Sequence, residues 1–235
     1  MMSSVLIALL GCAPASAETT LAFRPDTLVE VAMFTIEPGE EQAIEEKYFS
    51  KVFPIAAEYG MQPLGTFAVD NIEHGDVEAT QWGFFQWPDR AAKERFEADR
   101  RFRRLVDERD ARLSELKLLY VTVAEPVSIV LDDDRMYEVF AGWLNRHNGA
   151  RMQDYFAVAG PWVAQRGAEF HGQFTVVGMP EEYGFSSQPQ VLGFMSWPSR
   201  STKAAWFGSD AFHDIGWTRA SAVDRLVVLE GKPNR

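Results

Sequence analysis

The stretch from Gly83 to Arg103 reads GFFQWPDRAAKERFEADRRFR, and it returns from Gly193 to His213 as GFMSWPSRSTKAAWFGSDAFH. At an offset of 110 residues the identical pairs are Gly83/Gly193, Phe84/Phe194, Trp87/Trp197, Pro88/Pro198, Arg90/Arg200, Lys93/Lys203 and Phe102/Phe212. Further matches lie on both sides, among them Tyr48 with Tyr155, Glu30 with Glu138 and Arg109 with Arg219. The chain is therefore built from two copies of one unit.

Each copy shows the same order of predicted elements. In copy one, strands are predicted at 29–36, 62–69, 79–87 and 116–124, and helices at 40–59 and 89–113. In copy two, strands are predicted at 136–144, 169–178, 189–197 and 223–230, and helices at 147–166 and 200–222. This β-α-β-β-α-β order is the ferredoxin-like split unit. We therefore assign residues 28–124 to unit 1, 125–135 to a linker and 136–231 to unit 2.

Asp99 and its counterpart Ser209 fall inside the second predicted helix of each copy. Aspartate and serine are preferred at helix N-caps, because their side-chain oxygens accept hydrogen bonds from the first turn. We therefore expect this helix to break in two at the same place in both copies.

The chain resembles the dimeric α/β-barrel superfamily and is similar to its NIPSNAP-like and antibiotic-biosynthesis-monooxygenase-like families. The residues that carry the resemblance are Tyr48, Pro54, Gly60, Phe84, Trp87, Pro88, Phe102 and Arg109, with their counterparts in copy two. The resemblance implies an α+β fold in which two ferredoxin-like units pack sheet to sheet. Because both units lie on one chain, an intramolecular α/β barrel is expected, either as a monomeric pseudo-dimer or as a homodimer of such chains.

The resemblance leaves several activities possible. Such relatives include cofactor-free monooxygenases, isomerases, dehydratases, haem enzymes and proteins without known activity, so the fold alone does not select a reaction. Ligand pockets in them often lie between the sheet and the helices of one unit.

The composition excludes several classes of protein. The chain has 34 acidic and 23 basic side chains and a net charge of −11. A nucleic-acid-binding surface needs clustered Lys and Arg to neutralise phosphates, so no nucleic-acid partner is expected. No apolar run reaches the roughly 18 residues that span a bilayer.

The N-terminal residues 1–17 have the pattern of an export signal. An apolar run at 5–10 precedes Gly11-Cys12, which resembles a bacterial lipobox with Cys12 as the lipidated residue. Ala15-Ser16-Ala17 fits the alternative A-x-A pattern, with cleavage before Glu18. Both readings place the mature protein in the cell envelope or periplasm, with a lipid anchor in the first case only. Residues 18–27 are predicted to be a tether.

His171 and Glu138 are the candidate catalytic residues. His171 lies on a predicted strand with Glu169, Gln173 and Thr175 on one face, where a polar row could hold a proton-transfer pair or could simply be a solvated sheet face. Glu138 could be a buried general base or a rim charge that prevents aggregation.

Copy two is rich in aromatic residues and is where we expect a pocket confined to one copy. The predicted ligand-binding residues are Tyr155, Trp197, Trp206, Phe212, Trp217 and Arg219. They indicate a pocket for a small apolar or aromatic molecule, although ordinary core packing would give the same composition.

Metal and cofactor motifs are missing from the sequence. It has no G-x-G-x-x-G, Walker, G-x-S-x-G or H-E-x-x-H motif, and its four histidines are scattered, so no metal site is predicted. No cofactor is predicted either, but the sequence leaves a haem open, because one axial histidine such as His171 would suffice.

The sequence thus supports two functional hypotheses. The first is an exported, cofactor-independent oxygenase or isomerase that acts on a small apolar or aromatic compound. The alternative is a non-catalytic envelope protein that binds a ligand or has a structural role.

Overall fold

The computed structural model describes residues 19–234, which contain ten strands. They are β1 (Thr20–Phe23), β2 (Leu28–Ile36), β3 (Gln62–His74), β4 (Gln81–Trp87), β5 (Leu113–Val123), β6 (Val127–Val130), β7 (Met136–Leu144), β8 (Glu169–Gly178), β9 (Val191–Trp197) and β10 (Val223–Pro233). The predicted export signal and Cys12 lie outside the described residues.

The helices of unit 1 are α1 (Glu41–Ile44), a π-helical turn (Glu45–Phe49), α2 (Ser50–Glu58), α3 (Arg90–Ala98) and α4 (Arg100–Asp110). The helices of unit 2 are a 3₁₀ turn (Gly149–Arg151), α5 (Met152–Ala164), α6 (Arg200–Phe207) and α7 (Asp210–Ala222). Among the described residues, no helix has both the length and the apolar character needed to cross a membrane.

The eight long strands form one closed antiparallel barrel. Each unit contributes a four-stranded sheet, in the order β5-β2-β4-β3 for unit 1 and β10-β7-β9-β8 for unit 2. The edge strands then pair between units, β5 with β8 and β10 with β3. This arrangement confirms the predicted fold of two tandem ferredoxin-like units joined into an intramolecular α/β barrel.

The barrel interior is filled by side chains from both units. Its centre is an aromatic cluster in which the repeat residues Phe84 and Phe194 meet with ring centroids 5.2 Å apart. Phe67 lies 5.5 Å from Phe194 and stacks on Trp82 at 4.9 Å. Because inward-facing side chains of both sheets share this space, neither unit could bury its inner face alone.

The segments predicted as tether and linker are partly ordered into a two-stranded ribbon. β1 pairs with β6 in antiparallel register, and Leu21 and Phe23 on β1 are fully buried. Phe23 packs edge-on against Phe84 and Phe174 inside the barrel. The short alternation of apolar residues in these segments explains the strands, because alternate side chains point to one face.

The second helix of each unit breaks where the sequence predicts. Asp99 is the N-cap of α4, where its Oδ1 accepts a hydrogen bond from the backbone N–H of Arg101 at 2.7 Å. Ser209 is the N-cap of α7, where its Oγ accepts from the N–H of Phe212 at 3.1 Å. In each unit the two helical pieces and the first helix cover the outer face of that unit's own sheet.

Candidate functional site

A cavity of about 560 Å³ lies between the outer face of the unit 1 sheet and the helices that cover it. Its aromatic wall consists of Phe34, Phe49, Phe53, Phe85, Trp87, Phe96 and Phe102. The volume is within the range of about 300–1,000 Å³ that is typical of small-molecule sites. The structure thus places a cavity of this size in unit 1, whereas the sequence led us to expect a pocket in copy two.

Arg109 supplies a buried cation on the wall of this cavity. It lies on α4 and is 7% exposed, and its Nε donates to Asp110 Oδ1 at 2.8 Å. Its Nη2 is buried and makes no hydrogen bond within the described residues. Burial raises the pKa of the neighbouring Tyr48 to about 12, so the Tyr48 hydroxyl stays neutral beside the guanidinium. An unpaired buried guanidinium N–H is costly, and a ligand oxygen would relieve that cost.

A buried ion pair lies on another part of the wall. Lys93 Nζ on α3 contacts Glu30 Oε2 on β2 and lies 3.4 Å from Glu97 Oε1. The ammonium also lies 4.8 Å from the ring centroid of Trp87, whose buried Nε1 makes no hydrogen bond within the described residues. Lys93 was not predicted as a site residue, and its pairing with Glu30 was not predicted either. The signal was present, because Glu30 and Lys93 both recur in copy two.

In unit 2 the corresponding space is filled by side chains. Trp206, the counterpart of Phe96, is 2% exposed, and its Nε1 donates to Tyr155 Oη at 3.2 Å. The Trp162 ring packs against it, with ring centroids 5.0 Å apart. Tyr155 and Trp206 were predicted to bind a ligand, but in this structure their side chains form a hydrogen bond with each other. Trp206 stands where unit 1 has Phe96, and Trp162 stands where it has Ile55, so larger side chains contribute to the difference between the units.

Two other residues predicted to bind ligand also belong to the helix layer of unit 2. Arg219, the counterpart of Arg109, has its guanidinium 5.6 Å from the ring centroid of Phe212 and 5.9 Å from that of Tyr155. Phe212 packs edge-on against Trp206, with ring centroids 5.4 Å apart. These contacts fit the packing interpretation of the aromatic residues rather than the pocket interpretation.

Trp217 lies on the protein surface. It is 55% exposed, and the Arg151 guanidinium stacks 4.4 Å from its ring centroid. Its counterpart in copy one, Asp107, is also exposed. The position therefore faces solvent in both units, and the structure does not bring Trp217 to a pocket.

Glu138 lies in a buried cluster of charges where β10 of unit 2 pairs with β3 of unit 1. Lys203 Nζ contacts Glu138, Glu230 and Glu73, and Trp197 Nε1 donates to Glu138 Oε2 at 3.2 Å. Burial raises the pKa of Glu138, and the nearby Lys203 opposes that rise. The three carboxylates have the spacing of a metal site, but the ammonium lies among them. Glu138 and the predicted ligand residue Trp197 are therefore partners in a closed polar cluster.

Three solved structures resemble this architecture over almost its whole length. An anthrone oxidase-like protein superposes with a TM-score of 0.59 at 16% sequence identity, covering 92% of this chain and 94% of that one. A variant chlorite dismutase from Candidatus Nitrospira defluvii gives a TM-score of 0.52 at 11% identity, with coverages of 90% and 93%. A candidate monooxygenase from Fusobacterium nucleatum gives 0.51 at 11% identity, with coverages of 91% and 94%.

This chain has the dimeric α/β-barrel fold. At these identities the likeness shows the fold and does not select a reaction. No family profile and no curated protein matches the sequence. The resemblance to NIPSNAP-like proteins in particular stays a prediction.

His171 lies inside the α/β barrel rather than at the cavity. Its ring is 5.5 Å from that of Phe194, and its Nε2 is 2.8 Å from Ser196 Oγ. Gly172, with a φ of +103°, lies at a register shift between β8 and β9 that breaks the expected alternation. His171 and Phe174 therefore both face the barrel core, whereas strict alternation would have put them on opposite faces. Ser196 also accepts from Arg135 Nε at 2.9 Å, so the serine proton is free to point at the histidine.

The donors on the cavity wall do not fit a haem held in the usual ways. Among the described residues that line the cavity there is no histidine and no cysteine. The raised pKa of Tyr48 disfavours a phenolate ligand. His171 is packed in the barrel core, so it offers no axial ligand to this cavity.

We expect the change H171Q to alter the pH dependence of stability and not ligand binding. Burial lowers the pKa of His171 from 6.5, so below that pH the unfolded chain takes up a proton that the folded chain resists. The advantage of the wild type over H171Q in free energy of unfolding should therefore shrink as the pH falls from 7.5 to 5.5. Urea unfolding at several pH values measures this. H147Q, at an exposed histidine, is the control, and a constant difference across this range would refute the assignment.

Proposed function

We propose that unit 1 of this α/β barrel binds a flat, mostly apolar molecule that carries an oxygen anion or a carbonyl oxygen. The observation that carries the proposal is the buried Arg109 Nη2, which lacks a hydrogen-bond partner within the described residues and belongs to a residue on the wall of an aromatic cavity. The aromatic wall favours a flat apolar body, since ring stacking and burial contribute most of the affinity. The guanidinium would then hold the oxygen.

We further propose that the reaction is a cofactor-independent oxygenation. A carbon acid next to an aromatic ketone loses a proton, and Arg109 stabilises the resulting enolate oxygen. The carbanion gives one electron to O₂, and the two radicals combine to form a peroxide anion. This anion takes back the proton that the base removed and becomes a hydroperoxide. Loss of water leaves a carbonyl, so that a CH₂ group and O₂ become C=O and H₂O. Among the glutamates that line the cavity, Glu30 is buried and is the one that would take the proton. The structural likeness to an anthrone oxidase-like protein agrees with this reaction class.

One observation favours binding without turnover as the second candidate. Glu30 is already paired with the ammonium of Lys93, and such a pair makes a carboxylate a weaker base. A non-catalytic ligand-binding protein would keep the cavity and Arg109 and would need no free base. Binding and oxygen consumption must therefore be measured separately.

The binding prediction uses two probes of the same skeleton. 8-Anilinonaphthalene-1-sulfonate carries a sulfonate, and N-phenyl-1-naphthylamine lacks it. R109M should weaken the sulfonate probe about 10- to 100-fold, since a hydrogen bond to a charged group contributes about 1.5–3 kcal/mol. The neutral probe should bind within about two-fold of wild type, because the aromatic wall is unchanged.

R219M is the matched control, since Arg219 is the repeat counterpart that lies in the filled unit. It should bind both probes like wild type. If R109M and R219M behave alike, the site is not the unit 1 cavity.

The turnover prediction uses anthrone as test substrate in chelator-treated buffer without added cofactor. Wild type should consume O₂ and form the ketone faster than heat-denatured protein does. E30Q should lose this activity while it still binds the neutral probe, because the base is removed and the wall remains. E138Q is the control, since Lys203 keeps two other carboxylates there. Saturable probe binding without O₂ uptake by the wild type would decide for the non-catalytic alternative.

We also propose that the mature protein acts outside the cytoplasm, on the strength of the signal-like residues 1–17. The intact mass of protein purified from the membrane fraction of its own cells measures this. A diacylated Cys12 supports a lipid-anchored form, and a chain that begins at Glu18 supports a soluble periplasmic form. A chain that still begins at Met1 contradicts export.

A further inference from the structure

The cavity of unit 1 is partly covered by unit 2. The segment between β8 and β9 of unit 2 spans residues 179–190, whereas the corresponding segment between β3 and β4 of unit 1 spans only 75–80. Residues 180–183 of the longer segment line the cavity. The segment is fastened to unit 1 by the backbone N–H of Leu118 on β5, which donates to the carbonyl of Tyr183 at 2.8 Å. The pairing of β5 with β8 brings this segment close to unit 1.

Tyr183 makes two further contacts there, both with the surroundings of Arg109. Its hydroxyl donates to Asp110 Oδ2 at 2.9 Å, while Asp110 Oδ1 accepts from Arg109 Nε at 2.8 Å. Its ring centroid lies 4.4 Å from the Arg109 guanidinium carbon. The Arg109 guanidinium is therefore held on one edge by Asp110 and on one face by the Tyr183 ring. Tyr183 takes part in both contacts, because its hydroxyl also donates to Asp110.

The electrostatics favour this arrangement at neutral pH. Burial raises the pKa of Tyr183 to about 12, so its hydroxyl remains a hydrogen-bond donor. The Asp110 side chain is 40% exposed, and an ion pair to such a carboxylate is weak unless its geometry is fixed. The hydrogen bond from the Tyr183 hydroxyl holds Oδ2, the second oxygen of the Asp110 carboxylate. A cation over an aromatic face adds a further attraction that is stronger when water is excluded.

We propose that Tyr183 is the positioning residue of the site, which aims Arg109 into the cavity through Asp110 and through ring stacking, and that its segment is the cover of the cavity. The ligand site thus belongs to unit 1 but is completed by unit 2. This inference rests on the proposed function, because it assigns Tyr183 a role in the same cavity.

The test compares Y183F, Y183A, D110N and the double variant Y183F/D110N with the same two probes. Y183F keeps the ring and loses the hydrogen bond, so it should weaken the sulfonate probe several-fold and leave the neutral probe within two-fold. Y183F/D110N should bind the sulfonate probe no more weakly than D110N alone, because Tyr183 acts through Asp110. Y183A should also speed the dissociation of both probes, because the cover is lost. S186A, at an exposed residue of the same segment, should behave like wild type.

The outcomes separate the two proposals. If wild type binds both probes, R109M weakens the sulfonate probe and Y183F does not, the role of Tyr183 is refuted and the cavity proposal stands. If Y183F weakens both probes equally, Tyr183 is only a structural contact, and the positioning role is again refuted. If wild type binds neither probe saturably, the proposed function fails and this inference fails with it.

Discussion

The pairing of edge strands between the two units is the constraint on which the rest of the molecule depends. A ferredoxin-like sheet has two exposed edges, and unpaired edges promote aggregation. Here β5 pairs with β8 and β10 pairs with β3, so the barrel has no free edge. Closure turns the inner faces of both sheets into one core that is filled by rings such as Phe84 and Phe194. The cavity lies instead in the outer layer, between the unit 1 sheet and its own helices.

The two outer layers keep several repeat identities, among them Trp87/Trp197, Lys93/Lys203 and Phe102/Phe212, and differ at single positions such as Phe96/Trp206. In the shared core Phe84/Phe194 is identical, whereas Trp82 corresponds to Leu192. Unit 1 has a cavity beside Phe96, whereas Trp206 and Trp162 pack together in unit 2. Residues 180–183 of the longer segment of unit 2 line the cavity of unit 1.

Much of the fold could be predicted from the repeat, and the location of the site could not. Identical residues at a constant offset revealed the two units, and Asp99 and Ser209 revealed the helix breaks. The wealth of Trp in copy two suggested a pocket, but large side chains fill space as readily as they line it. His171 was assigned to a polar sheet face because the register shift at Gly172 is invisible to a count of alternating residues. The short strands β1 and β6 were missed because four-residue strands are stable only when paired, here with each other.

The same buried Glu–Lys ion pair occurs in both units, but its surroundings differ between them. Glu30 with Lys93 and Glu138 with Lys203 occupy equivalent places in the two units. A buried lysine must keep a carboxylate partner, because an uncompensated buried charge costs several kcal/mol. Around Lys203, Glu230 of unit 2 and Glu73 of unit 1 complete the partnership, and Trp197 donates to Glu138 Oε2, the same oxygen that contacts Lys203. In unit 1 the same pair borders an open aromatic cavity, and the indole N–H of Trp87 has no hydrogen-bond partner within the described residues. The packing around each pair therefore differs between the units, although the pair itself is the same.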